Sequence, residues 1–183
     1  MLRDWNDFIK KVDSLLPKSY KKEIRNQAKA IDKIISSFIR GQLSVCVLLG
    51  SFYAIGLTFV GLDLGMLVGF IAGIISFIPY VGSIVGFITA MAIAFAQFDY
   101  WVPITQVIGV FAVGQFLEGN FLTPKLVGDS IGLHPVWVMF ALLAGGVLLG
   151  FLGLMIAVPL AAVIGVLVRF AISKYKQSSL YKE

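Results

Sequence analysis

The sequence predicts an all-α membrane protein in which single transmembrane helices alternate with helical hairpins broken by proline or glycine. Of the 183 residues, 58% are hydrophobic, and the mean hydropathy is +0.92. A soluble domain of this size would leave much of that apolar surface in water. Residues 43–171 carry only six formal charges: Asp63, Asp99, Glu118, Lys125, Asp129 and Arg169. Their apolar runs are interrupted, and interruptions within lipid are costly and often functional.

The charge distribution predicts three regions. Residues 1–40 are expected to form a basic amphipathic helical arm, residues 41–172 the transmembrane transport domain, and residues 173–183 a basic tail. Helical spacing brings five apolar positions of the arm to one face: Ile24, Ala28, Ile31, Ile35 and Phe38. This face is expected to pack on its own protein or on a neighbouring subunit, or alternatively to lie on the membrane surface.

The basic flanks also predict orientation and partners. Lys and Arg beside apolar spans favour the cytoplasmic side and anionic lipid headgroups. Both termini are therefore expected in the cytoplasm, with membrane lipid as a partner. No nucleic-acid partner is expected, because the positive charges lie at membrane edges without a binding motif.

Two segments have the length of one membrane crossing. Leu43–Gly61 contains 19 residues, which as a helix extend about 28 Å, close to the hydrocarbon thickness. Trp101–Leu117 is the second such span, with Tyr100 and Trp101 as interface anchors. Residues 121–134 are predicted to form a loop.

Two longer segments are predicted to fold back as hairpins. Residues 64–97 break at 77–82, where Pro79 removes a backbone donor and Gly82 loosens the chain; the alternative is one tilted, kinked helix. Residues 135–172 are interrupted by four glycines and a proline: Gly145, Gly146, Gly150, Gly153 and Pro159. A single span followed by a broken segment thus occurs twice, entering from opposite faces. This is the outline of an inverted-topology repeat.

Polar groups at the breaks and span ends are the candidate pathway residues. A break in lipid frees peptide groups that protein, water or substrate must satisfy, and Tyr80 and Ser83 add hydroxyls there. Glu118 ends the second span, so it either reaches the headgroups or faces a wet interior where it could carry a proton. Gln115 lies on the same helix face one turn earlier.

Four further positions have two interpretations each. Asn120 either joins the polar group around Glu118 or ends the helix. His134 is a candidate for proton coupling, but its position before a proline also favours a capping role. The glycines at 145 and 146 indicate close helix packing or, alternatively, a moving gate.

The inventory argues against an enzyme and against a bound metal. The chain has one His and one Cys, a poor set for a transition metal, and no nucleophile–base pair, phosphate loop or carboxylate pair can be assembled. Cys46 lies within an apolar run and is expected to be inert. No cofactor is expected.

Three passages together resemble the autoinducer-2 exporter family of membrane transporters. They are FIPYVGSIVG at 77–86, QFLEGNFLTPKLVG at 115–128, and LHPV at 133–136 continuing to the glycines and to AVPLA at 157–161. The match runs from about residue 20 to residue 170 and covers the later half of the family pattern.

The resemblance implies export of a small polar solute across the bacterial inner membrane, or sodium–proton exchange as in some relatives. Because the earlier family helices are not in this sequence, a truncated, non-transporting assembly subunit is a third reading. Homo-oligomers, pentamers among them, are implied as well. The break and the family pattern together give the predicted substrate pathway: Pro79, Tyr80, Gly82, Ser83, Gln115, Glu118, Asn120, Pro124, Gly145, Gly146 and Pro159. Proton coupling is predicted for Glu118 and His134.

Overall fold

The computed structural model describes residues 21–128 and 133–177, and these form helices joined by short turns. The helices are α1 (Lys21–Val60), α2 (Gly65–Ile75), α3 (Val81–Gln97), α4 (Trp101–Leu117) and α5 (Pro135–Gln177), with π-helical turns π1 (Glu118–Leu122) and π2 (Pro124–Gly128) after α4. Three stretches are long and apolar enough to cross a membrane: Lys21–Val60, Trp101–Val127 and Val136–Lys176. The predicted all-α membrane fold is confirmed. Predictions for residues 1–20, 129–132 and 178–183 lie outside the described residues.

The arm and the first span form one continuous helix. Helix α1 runs through residue 40 without a break and ends at Val60, one residue before the predicted end of the span. On the predicted apolar face of the arm, burial increases toward the membrane: Ile24 and Ala28 are exposed, whereas Phe38 is fully buried. The Phe38 ring meets the ring of Phe77 edge to face, with centroids 6.2 Å apart.

Residues 64–97 fold back as the predicted hairpin, so the alternative of one kinked helix is wrong. Helices α2 and α3 are separate, and their legs touch along their length. A Cβ placed on Gly82 would lie 2.2 Å from the Ser76 nitrogen, and one on Gly86 would lie 2.4 Å from the Ala72 Cβ. These two contacts join residue 76 to residue 82 and residue 72 to residue 86. Residue 79 lies midway along the chain in both, so Pro79 is at the tip of the hairpin.

The tip of this hairpin pairs several of its backbone groups internally and takes one further donor from α1. The amides of Phe77, Ile78 and Val81 donate to carbonyls three residues earlier, at 3.0–3.2 Å. The Ser76 carbonyl accepts a 2.7 Å hydrogen bond from Nε2 of Gln42, and both side chains are buried. The turn is completed by Tyr80, whose φ of 67° is rarely adopted by a residue other than glycine.

The opposite end of the hairpin is held by a single glutamine. Gln97, the last residue of α3, donates from Nε2 to the Gly61 carbonyl at 2.8 Å. Its Oε1 accepts from the backbone amide of Asp63 at 2.7 Å. These two bonds close the α1–α2 turn with α3, so both ends of the first hairpin are tied to α1 or to the turn that follows it.

Helix α1 packs on α2 through backbone contact. A Cβ on Gly73 would lie 2.2 Å from the Gly50 Cα, and a Cβ on Gly69 would lie 2.2 Å from the Ala54 nitrogen. Such distances leave no room for side chains between the helices, which is how small residues bring membrane helices together.

Helix α4 runs antiparallel to α1. Gly56 of α1 faces Val110, whereas Gly41, about four turns earlier on α1, faces Leu126 of π2. The predicted loop of residues 121–134 is wrong over residues 121–128, because the chain continues there as π1 and π2 along the same side of α1. Leu133 and His134 lie outside the helices, as predicted. An open loop at this depth would expose peptide groups to lipid, whereas helical turns satisfy them internally.

Helix α5 is the second predicted hairpin, with its break at Gly150. That residue has φ 60° and ψ −138°, outside the helical region. A Cβ on Gly153 would lie 1.9 Å from the Gly145 oxygen, although eight residues of straight helix span about 12 Å. The expected interruption at Pro159 is wrong, because the second leg runs through that residue. This hairpin packs on α1, and an ion pair joins Lys174 to Glu23.

Replacing Gln42 with Leu is expected to destabilise the hairpin tip. The variant leaves the buried Ser76 carbonyl without its side-chain donor, a loss worth about 1–2 kcal/mol. The measurement is unfolding in mixed detergent micelles, with hydrogen exchange over residues 76–81. The matched control is Gln106→Leu, since Gln106 is exposed on α4. Equal stability of the two variants would contradict the role of Gln42.

Candidate functional site

Glu118 is the buried carboxyl of the apolar region. It lies where α4 gives way to π1, and its side chain is 4% exposed. Nε2 of Gln115 donates to its Oε2 at 3.5 Å. The sequence left two positions open for this residue, the headgroup layer or the interior, and its burial places the carboxyl inside the protein. The predicted neighbourhood of Gln115 and Glu118 is confirmed.

The backbone departs from a regular α-helix at Glu118. Residues 118–122 form a π-helical turn, and such turns in otherwise regular helices occur often at functional sites. A π turn widens the helix and changes the direction in which successive side chains point. Within hydrocarbon, this irregular backbone is tolerated where protein or water covers it, and here π1 packs against α1, α4 and π2.

Tyr53 lies on α1 where that helix packs against α4. We call this contact the α1–α4 seam and define it by four residues: Tyr53, Phe111, Gly114 and Glu118. The Tyr53 ring stacks on Phe111, with centroids 4.6 Å apart and planes at 24°. A Cβ on Gly114 would lie 2.2 Å from Cε1 of Tyr53 and 2.6 Å from its hydroxyl oxygen. Glu118 follows Gly114 by four residues, about one helical turn further along the chain.

The tip of the first hairpin forms a separate polar group. Ser83 is buried, and its hydroxyl donates to the Tyr80 carbonyl at 3.1 Å. Pro79 is half-buried at the turn, and Gly82 is buried against Ser76. The Tyr80 side chain is exposed. The described contacts join these residues to Gln42 rather than to Glu118.

The remaining predicted residues lie apart from Glu118. Asn120 is exposed, and its Nδ2 donates to the Phe116 carbonyl at 3.0 Å. The chain continues through Asn120 as π1, so the helix-ending alternative is wrong. Pro124 is exposed at the start of π2. His134 is exposed, and its Nδ1 accepts from the Val136 amide at 3.4 Å at the start of α5, a capping contact. Gly145, Gly146 and Pro159 belong to α5, which packs on α1.

Sequence reasoning missed four residues of these two polar groups: Gln42, Tyr53, Ser76 and Gly114. Two of them left a trace in the sequence. Tyr53 is the one tyrosine inside the first predicted span, and Gly114 lies four residues before Glu118, on the same helix face. Gln42 and Ser76 are 34 residues apart, and no periodicity connects them.

Several proteins similar to this chain are named as putative transport proteins or permeases. Residues 1–173 match the family described as AI-2E family transporter, and the chain belongs to this family. It is 40% identical to "Putative transport protein YrrI" of Bacillus subtilis over 91% of this chain and 47% of that protein. It is 28% identical to "Putative permease PerM" of Escherichia coli over 90% of this chain and 46% of that protein. The chain spans about half the length of these relatives.

Alanine at Gly114 and alanine at Gly109 are expected to have opposite effects on stability. A methyl on Gly114 overlaps the Tyr53 ring and should cost about 1–3 kcal/mol. A Cβ on Gly109, on the same helix, meets no described atom within 4 Å, so alanine there should stabilise by up to about 1 kcal/mol through helix propensity. Thermal unfolding of both variants in one detergent measures the difference. A Gly114→Ala variant as stable as Gly109→Ala would contradict the packing of the seam.

Proposed function

We propose that this chain forms the later part of the pathway of a transporter that exports a small polar solute, such as autoinducer-2, across the bacterial inner membrane. The observation that carries the proposal is the Glu118 carboxyl, buried in an apolar span together with Gln115 and beside an irregular backbone turn. Carboxyl groups at such positions are costly and commonly belong to pathways for solutes, ions or protons.

The proposed chemistry follows from the groups present. A neutral hydroxylated solute needs hydrogen-bond donors and acceptors more than fixed charge. In this proposal Gln115 supplies a carboxamide, Glu118 supplies acceptor oxygens and carries the coupled proton, and the tip residues Tyr80 and Ser83 line the cytoplasmic end. Asn120, Pro124 and His134 stand further from this group and shape the neighbouring turns.

The hairpins have different roles in this proposal. The first hairpin returns to the outer side next to α4 and lines the pathway, with strain at Tyr80 marking the segment that moves. The second hairpin, with Gly145, Gly146 and Pro159, packs on α1 and leaves large apolar side chains exposed, Val147 and Leu148 among them. This surface faces lipid or neighbouring subunits in a homo-oligomer, with a pentamer as the family resemblance implies. Both termini lie in the cytoplasm, and the basic start of α1 meets anionic lipid there.

Glu118→Gln is expected to remove the coupling between flux and pH. Glutamine keeps the shape but cannot take up a proton, and losing a hydrogen bond to a charged group lowers flux about tenfold or more. The measurement is efflux of a labelled polar solute from proteoliposomes across a pH series. The control is Asp99→Asn, because Asp99 is exposed before α4. Unchanged flux and unchanged pH dependence would remove Glu118 from the mechanism.

The buried carboxyl also favours a second candidate, a cation–proton antiporter, because one carboxyl can bind a proton and a small cation in alternation. Adding sodium to vesicles should then release protons from wild-type protein and not from Glu118→Gln. An assembly subunit without transport activity is the third candidate. It predicts that this chain alone gives no flux and that flux appears when a longer partner is supplied.

A further inference from the structure

The Tyr53 hydroxyl is fully buried and lacks a hydrogen-bond partner among the described residues. The side chain has 0% exposure. Among the described residues, its oxygen is the buried side-chain polar atom that has no hydrogen-bond partner. Buried hydroxyls in proteins nearly always have a partner, since leaving one unpaired costs free energy. The ring is locked by its stacking on Phe111, so the hydroxyl cannot turn away. The hydroxyl therefore has a hydrogen-bonding capacity that the described residues leave unused.

Helical spacing along the chain brings Glu118 toward this hydroxyl. The hydroxyl lies beside Gly114, where the missing side chain provides its space. Glu118 follows one turn later, and helical side chains lean back toward the preceding turn. The contact of its carboxyl with Gln115, three residues earlier, shows this lean.

We propose that Tyr53, Glu118 and Gln115 form one buried site that binds a single hydroxyl group, either a water molecule or a hydroxyl of the transported solute. A hydroxyl both donates and accepts, so it can donate to the carboxylate and accept from the phenol. This inference rests on the proposed function, to which it adds Tyr53 as a binding residue on α1.

The other groups around the site fit a neutral ligand. Between residues 43 and 60 of α1 the titratable side chains are Cys46 and Tyr53, and both are buried. Helices α2 and α3 contain no titratable residue, and on π2 Lys125 is exposed over the Phe121 ring. Among residues 21–128 and 133–177 no group of three or more potential metal ligands occurs. The donors and acceptors present match a hydroxyl better than a cation.

Infrared spectroscopy of the full-length protein in lipid nanodiscs tests the site directly. With ring-labelled tyrosine, the difference between wild type and Tyr53→Phe isolates the C–O stretching band of Tyr53, whose frequency reports hydrogen bonding. We expect the frequency of a hydrogen-bonded phenol, and we expect Glu118→Gln to shift it. Phenylalanine retains the ring that stacks on Phe111, so the variant is expected to fold.

Two arms distinguish the sources of the hydroxyl. If a solute hydroxyl occupies the site, the small polyol erythritol shifts the Tyr53 band saturably, and Glu118→Gln raises the half-saturating concentration about five- to tenfold. If water occupies it, an O–H stretching band moves in water labelled with oxygen-18 and disappears in Tyr53→Phe. Either result supports the site.

The matched control is Tyr100→Phe, since Tyr100 is an exposed tyrosine outside the seam. The difference between wild type and this variant isolates the Tyr100 band, which should respond neither to Glu118→Gln nor to erythritol. The proposal is overturned if the Tyr53 band is that of an unbonded phenol, if it ignores Glu118→Gln, or if neither arm gives its response. These spectra are independent of the flux assay. If Glu118→Gln shifts the Tyr53 band but leaves flux unchanged, the transport role of Glu118 is contradicted and the Tyr53 site stands. If Glu118→Gln lowers flux but leaves the Tyr53 band unchanged, the Tyr53 site is contradicted and the transport role stands.

Discussion

The structure depends on one constraint: peptide and side-chain polar groups that lie at membrane depth must be satisfied by the protein itself, because hydrocarbon offers no partners. The chain interrupts its helices in spite of this constraint, and three of the interruptions are compensated by hydrogen bonds. At the first tip, backbone turns and the Gln42 amide pair several polar groups of residues 76–81. At the opposite end, Gln97 bonds two backbone groups. After α4, π turns keep the backbone hydrogen-bonded where an open loop would not.

Helix α1 is the element on which the other helices assemble. It contacts α2, α4, both π turns and α5, and on several sides the contact is made by glycine. Gly50 and Gly73 bring α1 and α2 into backbone contact, and Gly41 lies against the Leu126 carbonyl of π2. Since lipid chains are as apolar as leucine, tight packing of small residues replaces the hydrophobic effect as the reason for helices to associate.

The α1–α4 seam combines close helix packing at glycine with polar groups held inside the protein. Close approach at Gly114 buries the Tyr53 hydroxyl, and the π turn that begins at Glu118 brings a carboxyl to the same region. The site is thus made of groups that the packing isolates from lipid while leaving hydrogen-bonding capacity unused. The chain belongs to the AI-2E transporter family, and binding a polar solute is the role that we propose for this arrangement.

The sequence by itself determined the membrane character of the chain, the bounds of α4, the two hairpins and the pairing of Gln115 with Glu118. Each of these follows from local rules: apolar length, proline and glycine chemistry, and helical spacing. The break at Gly150 instead of Pro159, the π turns after Glu118, and the meeting of Tyr53 with Gly114 and of Gln42 with Ser76 were decided by the tertiary structure. These features depend on which helices touch and in what register, and contacts between residues 34 or 61 positions apart leave no periodic trace along the chain.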